Sequence, residues 1–196
     1  MSSIPPLKGD EKHNYRVHIV GNSGESTLAK ELAEMLGVPS IHMDRVFWKP
    51  GWQEPTNEEF AAKLRALLDQ YPDGWVIDGN YDRRGGTLVG ERATDVIWLD
   101  PPLLLYFPRI CYRTFLRLLR IGEPCAPGCN ETISEVFFSK ESIIWWCLSH
   151  HWVSRKKNGK RMEEGGVDVG GNMRRIGGWG HELEEWKKSV QRMIQS

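Results

Sequence analysis

The sequence predicts an α/β fold, a parallel sheet with helices on both faces. Three observations carry this reading. Short β-prone runs alternate with amphipathic helical stretches along the chain, which implies right-handed βαβ crossovers. The first four of these runs end at Gly21, Asp44, Asp78 and Asp100, and ligands of open α/β sheets sit at the carboxyl ends of the strands. The 196 residues, 40% of them hydrophobic and 27% charged, suffice for one domain with its own core.

The elements follow in order. Residues 16–20 (RVHIV) form a buried first strand that stops at Gly21. A helix is expected over 26–36, with Leu28, Leu32, Met35 and Leu36 on one face and Gly37 as its stop. Residues 39–43 read as a second strand ending at Asp44. The run Thr56-Asn57-Glu58-Glu59 is a capping box, and the helix behind it aligns Phe60, Leu64, Leu67 and Leu68. Residues 75–78 and 95–99 are the third and fourth strands. The stretch 103–120 is helical in pattern apart from Pro108, which predicts a kink or a later start. A Pro/Gly/Cys loop (123–130) separates it from a second helical stretch over 131–152. Residues 154–171 are polar, basic and then glycine-rich. Residues 173–176 suit a last short strand, and 181–194 a last helix with Leu183, Trp186, Val190, Met193 and Ile194 inward.

Composition narrows the function. Lys plus Arg (26) equal Asp plus Glu (26), which argues against a general nucleic-acid or anionic-membrane binder. No apolar run reaches the roughly 20 residues of a membrane span, and residues 1–14 lack the apolar core of a signal peptide. They read as a flexible polar arm. A cytoplasmic location with four reduced cysteines is the expectation.

The chemistry concentrates between Gly21 and Thr27. Gly21-Asn22-Ser23-Gly24-Glu25-Ser26-Thr27 has the form of a Walker A loop, in which backbone N–H groups at a helix start cradle phosphates. In that motif a lysine reaches the outer phosphates and a following Ser or Thr holds Mg²⁺, in the pattern G-x-x-x-x-G-K-[ST]. Here only Asn22 to Glu25 separate Gly21 from Ser26, so the loop is two residues short, and Glu25 stands at the lysine position. A carboxylate at a helix N-terminus is itself favourable by roughly 0.3–1 kcal/mol, so Glu25 is placed to take the anion site itself. Read alone, the segment also suits a plain strand–helix turn with a serine cap.

Taken with Asp44, Phe47-Trp48, Pro50-Gly51-Trp52, Trp75-Val76-Ile77-Asp78-Gly79-Asn80-Tyr81, Val96-Ile97-Trp98-Leu99-Asp100 and the arginine-rich helix that follows, the loop resembles the adenylate-kinase-like P-loop proteins of the bacterial "DNA topology modulation" type and their fungal relatives. The resemblance runs from Arg16 to the last helix. It implies a P-loop NTPase three-layer sandwich with strand order 2-3-1-4-5. A single domain would span 15–196, with a helical lid insertion over 103–172. It further implies phosphoryl transfer from ATP with Mg²⁺ to a small, nucleotide-like acceptor. Gly21, Asn22, Ser23, Gly24, Ser26 and Thr27 would bind the nucleotide. Ser26 and Asp78 would hold Mg²⁺ through water, Asp78 would match the Walker B carboxylate, and Asp44 would hold the acceptor.

Other groups extend this picture. Arg109, Arg113, Arg117 and Arg120 share one helix face. In a phosphotransferase, Arg113 and Arg117 would neutralise the transferred phosphoryl group; otherwise they form a solvated basic face. Arg83 and Arg84 follow the third strand, and Arg83 is placed to clamp the acceptor. Cys125 and Cys129 with His150 and His151 have part of a zinc pattern, but the histidine spacing is wrong and no further cysteine pair exists, so ordinary loop cysteines are the better reading. Trp145, Trp146 and Trp152 are expected to pack a lid helix on the body. Trp48 and Trp52 suit core packing or stacking on a base or sugar. The run Arg155-Lys156-Lys157 with Lys160-Arg161 reads as a solvated basic loop and the best nucleic-acid contact in the chain. Two functions remain: a small-molecule kinase, and a pseudoenzyme that keeps the fold and a binding role after losing ATP.

Overall fold

The computed structural model describes residues 5–85, 87–119, 121, 124–129 and 143–195, with side chains at all of these but 83 and 143–146. Five parallel strands form one sheet, β1 (Arg16–Gly21), β2 (Ser40–His42), β3 (Trp75–Asp78), β4 (Asp95–Asp100) and β5 (Met173–Gly177). Their order is β2-β3-β1-β4-β5, the order expected for a P-loop kinase fold. In register, Ile19 lies opposite Asp78, Gly21 opposite Leu99, His42 opposite Asp78 and Asp100 opposite Gly177. The carboxyl ends therefore share one edge of the sheet.

Side chains alternate across the sheet, so each strand feeds two cores. Val17, Ile19, Val76, Ile97, Leu99 and Ile176 face helices α1 (Glu25–Leu36) and α7 (His181–Ile194). Val20, Trp75, Ile77, Val96 and Trp98 face the opposite layer. There the partners come from α2 (Met43–Phe47), α3 (Asn57–Gln70) and α4 (Thr87–Arg92). In α1, Leu28 and Leu32 are buried, each contributing roughly 1.5–3 kcal/mol. The helix stops at Gly37, which adopts φ +67° and donates its N–H to the last carbonyls. The capping box of α3 forms in full. The Glu59 N–H donates to Thr56 Oγ1, and the Glu59 carboxylate accepts from the Thr56 N–H, both at 3.1 Å.

Four expectations need correction. First, helix α5 (Leu103–Leu118) does not start at Pro108 but runs through it. The hydrogen bond Pro108 cannot make would go to the carbonyl of Leu104, a residue that is itself 78% exposed. Second, residues 155–161 are no loop. Helix α6 (Ile143–Gly165) contains them, and its basic side chains pair with the body. Arg155 meets Asp100 at 3.0 Å, Lys157 meets Asp82 at 2.8 Å and Arg161 meets Asp82 at 3.5 Å. Tertiary ion pairs thus hold a helix whose sequence lacks an apolar stripe. Third, Trp152 does not pack on the body; it is 68% exposed, with Arg155 lying over its ring.

The fourth correction concerns the amino-terminal arm, which is docked over its described residues. Leu7 is buried in the core of α1 and α7. The Asp95 carboxylate accepts the N–H groups of Lys8 and Gly9 at 2.6 and 3.0 Å. The carbonyl of Pro6 accepts from the Trp186 indole at 3.1 Å. A short polar arm gives no sequence pattern to betray one buried leucine. Residues 131–142, Arg120, and the side chains of Arg83, Trp145 and Trp146 lie outside the described residues.

The docked arm has a measurable consequence. Leu7→Ala should destabilise the fold by about 2–5 kcal/mol in urea unfolding. A mobile arm would give a change within about 0.5 kcal/mol.

Candidate functional site

Strand β1 sits at the centre of the sheet, and its end is squeezed against β4. A Cβ at Gly21 would lie 2.6 Å from the Leu99 carbonyl oxygen and 3.0 Å from Glu25 Oε1, so only glycine fits. The chain then turns through Gly24, at φ +90°, and enters α1 at Glu25 with no side-chain cap. The first bond within the helix joins the Leu28 N–H to the Gly24 carbonyl, which aims the N–H groups of Glu25, Ser26 and Thr27 at the loop mouth. This glycine-containing turn at a helix start is the segment from which the sequence predicts a phosphate loop.

The loop's own carboxylate turns back toward the end of β1. Glu25 folds back beside Gly21 and is hydrogen-bonded to its own N–H. Burial, followed by the negative charges of Asp78 and Asp44, pushes the Glu25 carboxyl up to about 7, while its own N–H and the Arg113 charge pull the other way. The arrangement does not fit a nucleoside triphosphate with Mg²⁺. The position that should carry a lysine holds a carboxylate, which bonds its own N–H beside Gly21. Among the described residues, no group of three His, Cys, Asp or Glu side chains is arranged to hold a metal ion.

Beside the loop lies a cavity of about 610 Å³. Ser26, Thr27, Asp44, Arg113 and Arg117 all line it, with His42, Arg45, Lys30 and Cys125. Two of the predicted arginines thus share a wall with the end of the loop and with Asp44. Arg109 is exposed and does not line the cavity. Four fixed cations (Lys30, Arg45, Arg113, Arg117) face three carboxylates (Glu31, Glu34, Asp44).

Asp44 and Asp78 stand close but in different settings. Asp78 is buried, and its carboxylate binds His42 Nδ1 at 3.0 Å. That hydrogen bond is the main reason the His42 imidazole titrates above its ordinary value. Asp44 opens on the cavity with both oxygens already accepting, from the Tyr81 hydroxyl at 2.5 Å and from the Cys125 thiol at 3.3 Å. Tyr81 is wedged between Phe47 and Phe60. Burial first, and then the Asp44 charge, raise its phenol far above the usual range, so it remains a donor. Cys125 arrives on a segment docked against residues 49–51. Gly51 N–H donates to Gly128 O at 3.0 Å, and Cys129 Sγ approaches Lys49 O at 3.4 Å.

Other candidates separate from this centre. Asp100 ends β4 at the same edge, but Arg155 and Arg175 hold its buried carboxylate. The suspected zinc residues do not converge. Cys125 turns to Asp44, Cys129 to Lys49, and His151 Nδ1 shares a hydrogen bond of 2.7 Å with the Tyr106 hydroxyl. Arg83 lies in a short 3₁₀ turn, Asp82–Arg84. Sequence reasoning missed His42, Tyr81 and Cys125 as site residues. The only signals were a histidine at the end of a strand and a tyrosine three residues beyond Asp78.

Comparisons with known proteins add little. No protein-family model matches the chain, and no curated protein sequence matches it. Among solved structures, shikimate kinase from Bacteroides thetaiotaomicron is similar over 91% of this chain and 95% of that chain, at 15% identity and a TM-score of 0.42. A likeness of that size says nothing about activity. The fold is set by the strand order and the loop. No helix among the described residues is long and apolar enough to cross a membrane.

The raised Glu25 carboxyl makes stability depend on pH. Its folded value, about 7, exceeds the ordinary 4.5, so between these values the folded state binds the extra proton. Stability from this group is present at low pH and is lost as pH rises through 7. Glu25→Gln cannot lose that proton. Relative to wild type, the variant should gain about 1–3 kcal/mol between pH 4.5 and 8, read from urea midpoints at several pH values. A pH-independent difference would show that Glu25 is not held in this site.

Proposed function

We propose that the chain is a P-loop nucleotide-kinase-like protein that, as written, binds a small anionic, nucleotide-like ligand beside Asp44 and does not hold ATP. One observation carries this reading. The Glu25 carboxylate lies against Gly21 inside the phosphate loop, while the cavity lined by Asp44, Arg113 and Arg117 is open next to it. The chain then acts as a binding or regulatory module on a kinase frame.

A second reading is an active kinase that transfers a phosphoryl group from ATP to the acceptor. It is favoured by the approach of Ser26, Thr27, Asp44, Arg113 and Arg117 around one cavity, with Asp78 linked to its wall through His42. In that reading Arg113 and Arg117 steady the transferred group, and Ser26 and Asp78 hold Mg²⁺ through water. Asp44 and Arg83 hold the acceptor. Charge balance and the pairing of Arg155, Lys157 and Arg161 with the body disfavour a nucleic-acid partner.

Calorimetric titration with ATP–Mg²⁺ decides between the readings. Losing a charge-assisted hydrogen bond costs roughly 1.5–3 kcal/mol, and a carboxylate ~4 Å from a phosphate charge adds repulsion of about 4 kcal/mol at an effective dielectric near 20. Wild type should therefore bind at least about a hundredfold more weakly than a chain in which Glu25 is replaced by Ser-Gly-Lys. Glu25→Lys alone should recover only part, because the loop remains short. Tight binding by wild type would remove the basis of the binding-module reading and favour the kinase.

A further inference from the structure

Helix α5 presents three sides, and two of them have a place in the fold. Tyr106 and Thr114 are buried against the body, and Arg113, Leu116 and Arg117 line the cavity. The third side is an apolar row open to solvent. Leu104, Tyr112 and Phe115 are spaced to share one helical face, with Pro108 between them and Leu119 at the helix end. Leu104, Tyr112, Phe115 and Leu119 are each more than half exposed, and none of them lines the cavity. A single exposed leucine needs no explanation, but a continuous apolar row marks an interaction surface.

Charge says what fits this row. The helix carries Arg109, Arg113 and Arg117 and no acidic residue. Its neighbour α6 has none before Glu163 and adds an exposed Trp152. Arg109 is exposed and sits one turn from Tyr112, on the flank of the row. Two copies of α5 laid face to face would bring these like charges together. An anionic bilayer does the opposite. The row enters the apolar boundary, tyrosine suits the water interface, and arginine reaches the headgroups along its apolar stem. We propose that the outer side of α5 is an amphipathic docking surface for an anionic lipid membrane, on which the chain lies without crossing it. At 16 residues the helix is too short to span a bilayer. The neutral balance of the whole chain still argues against a general membrane binder, so the attraction is confined to this acid-free helix. Arg113 and Arg117 remain on the cavity side, which keeps the contact separate from the ligand site.

The test is co-sedimentation of the whole chain with vesicles of phosphatidylcholine alone and of phosphatidylcholine mixed with phosphatidylserine. Thermal melting confirms that each variant is folded, and light scattering after gel filtration gives the oligomeric state. Wild type should bind the mixed vesicles at least about tenfold more tightly than the neutral ones, and raised salt should release it. Phe115→Ser removes an inserted ring and should weaken binding by about tenfold or more. Arg109→Glu should weaken it at least about fivefold on the mixed vesicles and change it less than about twofold on the neutral ones. Both substituted positions are exposed, so the fold should hold. Wild type that stays in solution with both vesicles overturns the proposal. Equal binding to the two vesicles, or full binding by Phe115→Ser, overturns it as well. A wild-type dimer that Phe115→Ser turns into a monomer would show that a second copy covers the row, and the lipid surface would be the wrong occupant. The nucleotide titration addresses the other side of the helix, so either result stands without the other.

Discussion

A carboxylate placed at the first turn of a helix rising from the centre of a parallel sheet feels opposing forces, and the Glu25 site is shaped by them. The helix N-terminus attracts it, by roughly 0.3–1 kcal/mol in exposed cases. Burial and the two aspartates nearby repel its charge, and the second set of effects wins, as the raised titration of Glu25 shows. The carboxylate stays because the chain leaves it little choice. Gly21 is pressed against Leu99, and the loop is too short to carry residue 25 away from the strand end.

The fold was legible because it depends on short-range pattern. Strand–helix alternation, the capping box at Thr56 and the stop at Gly37 each state a local preference, and every one agrees with the sheet order. Features that depend on distant partners were not legible. Residues 155–161 look like solvated polar chain until Asp82 and Asp100 are brought to them from other elements. Leu7 looks like part of a loose arm until α1 and α7 close over it.

The site divides along the same line. The loop, Asp44 and the arginines were visible, because spacing along one strand end or one helix face is a sequence property. The partners that give them their character were not. His42 joins the site only when β2 lies beside β3 and brings it to Asp78. Tyr81 and Cys125 meet at Asp44 from segments more than 40 residues apart. No periodicity reports a meeting of that kind.

The two aspartates sit in different settings. Asp78 is buried, and its carboxylate is tied to His42. Asp44 lines the cavity, and Tyr81 and Cys125 each take one site on its two oxygens. An ionised carboxylate offers about four acceptor sites, so the remaining ones are directed by donors that fix the plane of the group. One of the two clamping donors rides on the segment between α5 and α6, which docks against residues 49–51. Moving residues 124–129 would therefore change the donors at Asp44, whereas Glu25 is held by its own helix start.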